Sequence, residues 1–306
     1  MNTGQDAAGV KSRVRGVERQ FSGRGSRATR AAVPPPKLER APRVRFGDLW
    51  VDAVTLAQTL AAIEQLVDQG AGGAVFTPNV DHVVIASRRP DFVEAYSRAD
   101  LSLPDGQPLV WCSRALGLPL PEKVSGSDLT LPLLQLAGRR KWRVHLFGGA
   151  ADVTAQAAEK MQRELSVEVV GIDCPMVPTH PSPIDDESAA RLQATRPDLV
   201  LVCLGAPKSE LWIDRVRGRV PPAVYVSVGA SLEFYVGRVK RAPAWMQRAG
   251  LEWTYRLYRE PTRLARRYLI QDPKFLVLLL RTLRLPRAER IRLADRVEAT
   301  THPRAT

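Results

Sequence analysis

The chain has 306 residues, of which 44% are hydrophobic, so it can build a sizeable core in one large or two ordinary domains. Its three cysteines are widely spaced without a CxxC pair, and no apolar run approaches the roughly 18 residues of a spanning helix. These features argue against a disulfide framework, a zinc site and a transmembrane anchor. The net charge of +13 is concentrated in residues 1–43 and 238–290, which favours an anionic partner for the two ends, either a membrane surface or nucleic acid.

Residues 1–43 are rich in Gly, Ser and Arg and contain three consecutive prolines, a composition that cannot bury enough surface to fold alone. We predict a disordered basic tail here, and the sequence leaves open whether it is a passive extension or a functional arm. An edge hairpin or short strand is expected over 45–54, and Thr55 can cap a helix over 56–68.

Predicted strands and helices then alternate along the chain. The strands are expected at 74–76, 101–103, 143–147, 167–172, 198–204 and 224–228, and helices at 107–116, 129–137, 152–165, 184–195 and 210–216. Two further helices are expected before these, one capped by Asn79 or Asp81 and running through Ile85 and Ala86, and one that starts at Pro90-Asp91 with Phe92 and Tyr96 turned inward. Most of the strands are nearly continuous apolar runs, which is typical of parallel strands buried on both faces. The sequence therefore predicts an α/β domain over 44–237, with a Rossmann-like, mostly parallel sheet and helices on both faces.

Small or polar residues follow five of the predicted strands at the point where each strand ends. They are Thr77-Pro78-Asn79, Asp105-Gly106, Gly148-Gly149, Gly205-Ala206-Pro207-Lys208 and Gly229-Ala230-Ser231. Ligands of open α/β sheets bind at this edge, where glycine lets the backbone approach closely and helix N-termini offer N–H groups to phosphate. Each turn alone could be a tight connection. The five together favour a nucleotide-type ligand, although neither a full GxGxxG nor a Walker motif is present.

Asp105 is the best candidate for a general base, because it follows a strand and precedes a glycine. The alternative is that it caps the helix that begins at Gln107. Thr77 and Asn79 are candidates to hydrogen-bond a sugar or a phosphate. Alternatively they form a Thr-Pro-Asn turn in which the asparagine caps a helix.

Other charged groups also have two possible roles. Lys208 could neutralise a phosphate, and Glu210 could hold either that lysine or a sugar hydroxyl. Alternatively, the two residues could belong to a surface ion pair. Asp128, at the end of Ser125-Gly126-Ser127-Asp128, is more typical of a helix cap than of a ligand group, and His82 is more typical of a helix face than of a partner to site residues. No Asp-x-Asp is present, so the usual metal clamp for a sugar nucleotide is not expected.

The sequence changes character after Gly237, because basic and aromatic residues interleave there and lead to an apolar run at 275–280. Pro261, Pro273 and Pro286 separate the predicted helical segments. Amphipathic helices with Trp, Leu and Arg lie in membrane interfaces, and each basic residue near anionic lipid adds about 1 kcal/mol of attraction. We therefore predict that 238–306 is a basic amphipathic appendage that associates with a membrane.

Several blocks of the chain resemble the WecG/TagA/CpsF glycosyltransferases, which form glycosyltransferase family 26. The blocks are Thr77-Pro78-Asn79, Ala99-Asp100 through Pro104-Asp105-Gly106, Ser125-Gly126-Ser127-Asp128-Leu129, Leu146-Phe147-Gly148-Gly149, Leu204-Gly205-Ala206-Pro207-Lys208-Ser209-Glu210, Val228-Gly229-Ala230, Gly237 through Trp245, Gly250-Leu251-Glu252-Trp253, Tyr255-Arg256-Leu257 and Glu260 through Leu264. They agree with the family in order and spacing from about residue 45 to 270. One position departs from the family's usual Pro-Lys-Gln-Glu, because Ser209 replaces the glutamine.

The resemblance implies an inverting transfer of a hexose or N-acetylmannosamine-type sugar from a UDP-sugar to a polyprenyl-diphosphate-linked acceptor, for exopolysaccharide or another cell-surface polymer. It implies that Asp105 is the base and that Thr77 is its active-site partner. The basic appendage, here Arg238 to Arg267, would close over the site and meet both the diphosphate and the membrane. If the missing glutamine reads donor hydroxyls, Ser209 favours a hexose. The enzyme would work in the cytoplasm at the inner face of the membrane, without a metal or another cofactor.

The residues expected to bind substrate combine the strand-end turns with positions carried over from the resemblance. They are Asn79, Gly106, Ser125, Gly126, Asp128, Gly148, Gly149, Gly205, Lys208, Glu210, Gly229, Arg238, Arg241, Arg256 and Arg263. Two other interpretations are a soluble nucleotide-binding oxidoreductase, which the missing GxGxxG disfavours, and a nucleic-acid-binding protein that uses the basic ends. We expect no nucleic-acid partner, and the sequence leaves open whether the chain forms a homo-oligomer.

Overall fold

The computed structural model describes residues 41–243, 246, 251–259 and 273–293. Nearly all of the predicted tail over 1–43 therefore lies outside the described residues. The elements, in chain order, are β1 (Arg43–Phe46), β2 (Leu49–Asp52), α1 (Leu56–Asp68), β3 (Gly73–Phe76), α2 (Val80–Ala86), α3 (Pro90–Ser97), β4 (Leu101–Ser102), α4 (Gln107–Leu116), α5 (Gly126–Arg140), β5 (Arg143–Gly148), α6 (Ala151–Leu165), β6 (Glu168–Asp173), α7 (Pro183–Thr195), β7 (Leu199–Cys203), α8 (Lys208–Val216), a 3-10 turn (Arg217–Arg219), β8 (Val224–Ser227), α9 (Ser231–Tyr235), α10 (Glu252–Arg259), α11 (Pro273–Leu283), α12 (Arg287–Arg290) and β9 (Ile291–Arg292).

Six of the strands form one parallel sheet in the order β4-β3-β8-β7-β5-β6. Its central strand β7 is buried at every position, as its unbroken apolar run predicts. Helices connect successive strands, so the predicted Rossmann-like α/β architecture is confirmed. The helix after β7 leads to β8, whereas the helix after the neighbouring strand β5 leads to β6 in the opposite direction. Such a reversal of direction opens a crevice at the carboxyl ends of the strands.

The sheet separates two apolar cores, because neighbouring side chains of a strand point to opposite faces. On one face Phe147 stacks on Trp212 of α8, with ring centroids 3.7 Å apart. On the other face Leu146 lies in a core with Leu129 and Leu133 of α5. All five side chains are fully buried.

A second, antiparallel sheet has the order β2-β1-β9. Strands β1 and β2 form the hairpin expected near residues 45–54, and β9 adds to it from the far end of the sequence, with Val44 opposite Ile291. Helix α11 covers this sheet, where Phe275 packs on Phe46 and the hydroxyl of Thr282 accepts the backbone N–H of Gly47 at 3.0 Å. Part of the basic region beyond residue 237 thus contributes to the same core as the first strands.

Candidate active site

The turns that follow β4, β3, β8 and β7 lie side by side, because these four strands are neighbours in the parallel sheet. Backbone and side-chain hydrogen bonds join the turns directly. The N–H of Asp105 donates to the carbonyl of Pro78 at 2.9 Å, and the hydroxyl of Thr77 donates to the carbonyl of Ser227 at 3.1 Å. The structure therefore brings the two predicted catalytic residues, Asp105 and Thr77, to the same edge of the sheet.

Asp105 lies immediately before the glycine that begins helix α4. Gly106, and not Asp105, occupies the N-cap position, with φ of 130°. A Cβ atom placed on Gly106 would lie 3.9 Å from the Cβ of Asn79, so the turns after β3 and β4 are in contact. Asp105 itself is half-buried.

Asn79 caps helix α2, as one of the sequence alternatives expects. Its Oδ1 accepts the backbone N–H groups of Asp81 at 3.0 Å and His82 at 3.4 Å. The Nδ1 atom of His82 lies 2.8 Å from the same oxygen. His82 is buried and contacts Asn79, so it is more than the helix-face residue that the sequence favours.

Glu210 lies below the turns and has no exposed surface. Its Oε1 accepts the hydroxyl of Ser227 at 3.1 Å and lies 3.5 Å from Nε2 of His82. Burial raises the pKa of the nearby Tyr96, and the negative charges of Glu210 and Asp105 raise it further. As placed, the Glu210 carboxylate contacts protein groups and not the open cleft. The neighbouring Ser209 is also fully buried.

Lys208, the first residue of α8, is only partly buried. Within the described part of the chain its ammonium group has no hydrogen-bond or ion-pair partner, so the alternative of an ion pair with Glu210 is not seen. Gly205 and Gly229 have φ of 74° and 54°, and a Cβ atom on either would meet no heavy atom within 4 Å. These three residues therefore border open space where a ligand has room.

The Gly148-Gly149 turn is tightly packed. A Cβ atom on Gly148 would lie 2.7 Å from Leu204, and one on Gly149 would lie 2.9 Å from the hydroxyl of Thr154. Both residues have positive φ, which favours glycine. The contacts account for both glycines by packing, which was the alternative to a ligand-binding role for this turn.

Ser125 and Asp128 form the capping box of α5, as the sequence predicts for Asp128. Gly126 lies against β8, because a Cβ atom there would be 3.0 Å from the carbonyl oxygen of Val228. Asp128 also binds Lys123 at 2.8 Å and Arg241 at 2.7 Å. These residues therefore hold α5 in place and anchor part of the basic region.

We call Lys123, Asp128, Arg241 and Glu252 the ion cluster. Glu252 of α10 completes it, at 3.5 Å from Lys123 and 3.9 Å from Arg241. Burial tends to raise the pKa of Asp128, but hydrogen bonds and charge from Lys123, Ser125 and Arg241 outweigh it and lower that pKa to about 2. Sequence reasoning missed Lys123 and Glu252, since neither lies in a pattern that predicts a partner.

Of the other predicted arginines, the structure describes the side chain of Arg238. Arg238 pairs with Asp152 at the exposed start of α6, 2.6 Å away. The side chain of Arg256 and the whole of Arg263 lie outside the described residues. Over the described ranges, no group of three or more His, Cys, Asp or Glu side chains is arranged to hold a metal ion. No helix within those ranges is both long and apolar enough to cross a bilayer.

Comparison with known proteins identifies the family. A family model described as "Glycosyl transferase WecG/TagA/CpsF family" matches residues 44–289. The chain is 35% identical over 216 residues to the N-acetylglucosaminyldiphosphoundecaprenol N-acetyl-beta-D-mannosaminyltransferase of Bacillus spizizenii (strain ATCC 23059 / NRRL B-14472 / W23), covering 70% of this chain and 81% of the relative. It is 32% identical over 218 residues to the Bacillus subtilis (strain 168) protein with the same name, covering 70% and 82%.

Proposed function

The chain belongs to the WecG/TagA/CpsF family of glycosyltransferases, and we propose that it moves a hexose or N-acetylmannosamine-type sugar from a UDP-sugar to a polyprenyl-diphosphate-linked acceptor. The names of the two relatives support this acceptor class and an N-acetylmannosaminyl product. The observation that carries the proposal is the position of Asp105, a half-buried carboxylate at the edge where four strand-end turns meet. The biological setting we propose is the synthesis of an exopolysaccharide or another cell-surface polymer.

In the proposed reaction Asp105 acts as a general base. Its carboxylate accepts the proton of the acceptor hydroxyl while that oxygen forms a bond to the anomeric carbon of the donor. The bond between the anomeric carbon and the diphosphate breaks on the opposite side, so the configuration inverts and UDP leaves. Lys208 and the N-terminus of α8 are placed to stabilise the negative charge on the diphosphate.

The proposal includes two classes of donor sugar, hexoses and N-acetylmannosamine-type sugars. The sequence argument for a hexose depends on Ser209, but that side chain is fully buried and does not line the cleft. The relatives are named as N-acetylmannosaminyltransferases. We therefore expect UDP-N-acetylmannosamine to be the first donor to test, ahead of UDP-hexoses.

The test is a transfer assay with a panel of UDP- and GDP-sugars and a polyprenyl-diphosphate-linked N-acetylglucosamine acceptor. We expect one UDP-sugar to be transferred, and Asp105→Asn to lower kcat by about 10²-fold or more with donor binding retained. Asp91→Asn is the matched control, since Asp91 is an exposed carboxylate in the first turn of α3 that pairs with Arg89. Near-normal transfer by Asp105→Asn would refute the mechanism, and absence of transfer with every donor would refute the function.

We further propose that the protein binds peripherally to an anionic membrane surface through α11. Leu276, Val277 and Leu280 are each more than half exposed, while Phe275 and Leu278 on the other side of the helix are buried. The exposed arginines Arg281, Arg284 and Arg287 follow at helical spacing. An apolar face beside basic residues is the arrangement that binds anionic interfaces.

Point variants test this proposal better than truncation, because α11 also covers the core. We expect the double variant Leu276→Ser/Leu280→Ser to lose co-sedimentation with anionic vesicles. Leu131→Ser, on the equally exposed surface of α5, should sediment like the parent protein. Equal sedimentation of all three proteins would refute the membrane proposal, and stronger binding to DNA than to vesicles at the same salt concentration would favour a nucleic-acid partner.

A further inference from the structure

Four buried or half-buried polar residues beneath the strand-end turns form what we call the buried polar network: Asn79, His82, Glu210 and Ser227. Glu210 is its centre, since its Oε1 contacts the hydroxyl of Ser227 at 3.1 Å and lies 3.5 Å from Nε2 of His82. The carboxylate thus joins α8 to β8 and to α2. Because Glu210 has no exposed surface, any effect it has on substrate must pass through these neighbours.

Two contacts join the imidazole to Asn79. Oδ1 of Asn79 caps α2 by accepting the backbone N–H groups of Asp81 and His82, and Nδ1 of His82 lies 2.8 Å from the same oxygen. The backbone N–H of Asn79 donates to Nδ1 at 3.4 Å, which closes the capping box. The other ring nitrogen, Nε2, faces the carboxylate of Glu210, so the imidazole links Glu210 to Asn79.

The imidazole is also held by packing. Its ring packs against Phe92 and Tyr96, with centroids 5.9 Å and 6.4 Å away, and those two rings contact each other at 5.0 Å. The Oε2 atom of Glu210 and the hydroxyl of Tyr96 are both buried, and neither has a hydrogen-bond partner among the residues that the structure describes. Each unpaired buried group destabilises the folded state, because it loses its hydrogen bonds to water and gains none in return. Such a cost is typical of a site that is kept for function and not for stability.

We propose that Glu210 and His82 are positioning residues that act as one unit on the turn carrying Asn79. The imidazole holds the side chain of Asn79, which lies against the turn of Asp105 and Gly106. The same carboxylate holds Ser227, whose carbonyl accepts the hydroxyl of Thr77. Through Asn79 and Ser227, the unit thereby fixes the positions of the two predicted catalytic residues, Asp105 and Thr77. The inference rests on the proposed function, because it assigns a role within the same site.

The test replaces both members of the unit with apolar side chains of similar size, as His82→Phe/Glu210→Met. Replacing a whole buried pair leaves no unpaired charge and is often neutral for stability. We expect kcat to fall by about 10- to 100-fold, the range seen when supporting hydrogen bonds of a site are removed. The melting temperature should change little. In an Asn79→Ala background the same double replacement should cause a smaller further loss than in the parent protein, because only the route through Ser227 and Thr77 remains.

His145→Phe is the matched control. His145 is equally buried and contacts Asp173 at 3.0 Å, but it lies on β5 away from the turns. This variant should keep its kcat. A kcat of His82→Phe/Glu210→Met within about threefold of the parent protein would overturn the proposal, as would a full additional loss in the Asn79→Ala background.

A second measurement separates this inference from the proposed function. Amide hydrogen exchange of residues 77–82 should become faster in His82→Phe/Glu210→Met and stay unchanged in His145→Phe, whether or not the protein transfers sugar. Unchanged exchange of residues 77–82 would overturn the positioning role. Absence of transfer by the parent protein, together with faster exchange in the variant, would overturn only the glycosyltransferase reaction.

Discussion

Replacement of Asp128 by Asn tests the electrostatics of the ion cluster. The folded protein lowers the pKa of Asp128 from 3.8 to about 2, chiefly through Lys123, Ser125 and Arg241 acting against the effect of burial. That difference corresponds to about 2 kcal/mol, at ~1.4 kcal/mol per tenfold change in proton affinity. The side chain is only 23% exposed, so screening by water leaves most of this energy in place.

The sign of the pH dependence follows from the lowered pKa. A carboxylate that is more acidic in the folded state stabilises the protein fully above its unfolded pKa, and the stabilisation is lost as the pH falls towards the folded value. Asp128→Asn should therefore lower the free energy of unfolding by about 2 kcal/mol at pH 7 and by about half as much at pH 3. Urea unfolding followed by circular dichroism measures both differences.

Asp152→Asn is the control for this prediction. Asp152 also pairs with an arginine of the basic region, Arg238, but both side chains are more than half exposed. We expect little change in stability from this variant at either pH. If Asp128→Asn had the same effect at pH 7 and pH 3, or no effect at all, the electrostatic account of the cluster would be wrong.

Three further outcomes are expected. Gly138→Ala should destabilise the protein by more than about 2 kcal/mol in urea unfolding, because the new Cβ atom would lie 2.0 Å from the carbonyl oxygen of Leu165. The control Gly218→Ala has open space for its Cβ atom and should be nearly neutral. Thr282→Val should cost about 1–2 kcal/mol in the same assay, since it leaves the N–H of Gly47 without its acceptor, and an unchanged stability would contradict the packing of α11. EDTA should leave the transfer rate unchanged, and a loss that added Mg²⁺ restores would contradict the expected independence from metal.

The parallel sheet could be predicted from the sequence, because its information is local. Runs such as Leu199–Cys203 are apolar at every position, and each ends in a glycine or a small polar residue. The N-caps at Thr55, Asn79 and Ser125 are equally local, since each depends on residues within one turn of helix. These features suffice to predict that Asp105 and Thr77 lie at one edge of the sheet.

The remaining features depend on contacts between distant residues. Nothing near Glu210 in the sequence shows that its carboxylate is buried, because the burial comes from β8 and α2. Lys123 and Glu252 likewise meet only in the folded chain. The pairing of β9 with β1 could not be predicted, since a two-residue strand has no pattern of its own. The periodicity of apolar residues predicts helices and strands, but it does not predict which of them pack together.

The pairing of Val44 with Ile291 also has a consequence for protein synthesis. Strands β1 and β2 leave the ribosome early, whereas β9 and the side chain of Phe275 that covers Phe46 leave it late. During most of translation the apolar side of the hairpin therefore lacks its cover, and nascent chains with exposed apolar surface tend to aggregate or engage chaperones. The antiparallel sheet is completed only after Ile291 has left the ribosome.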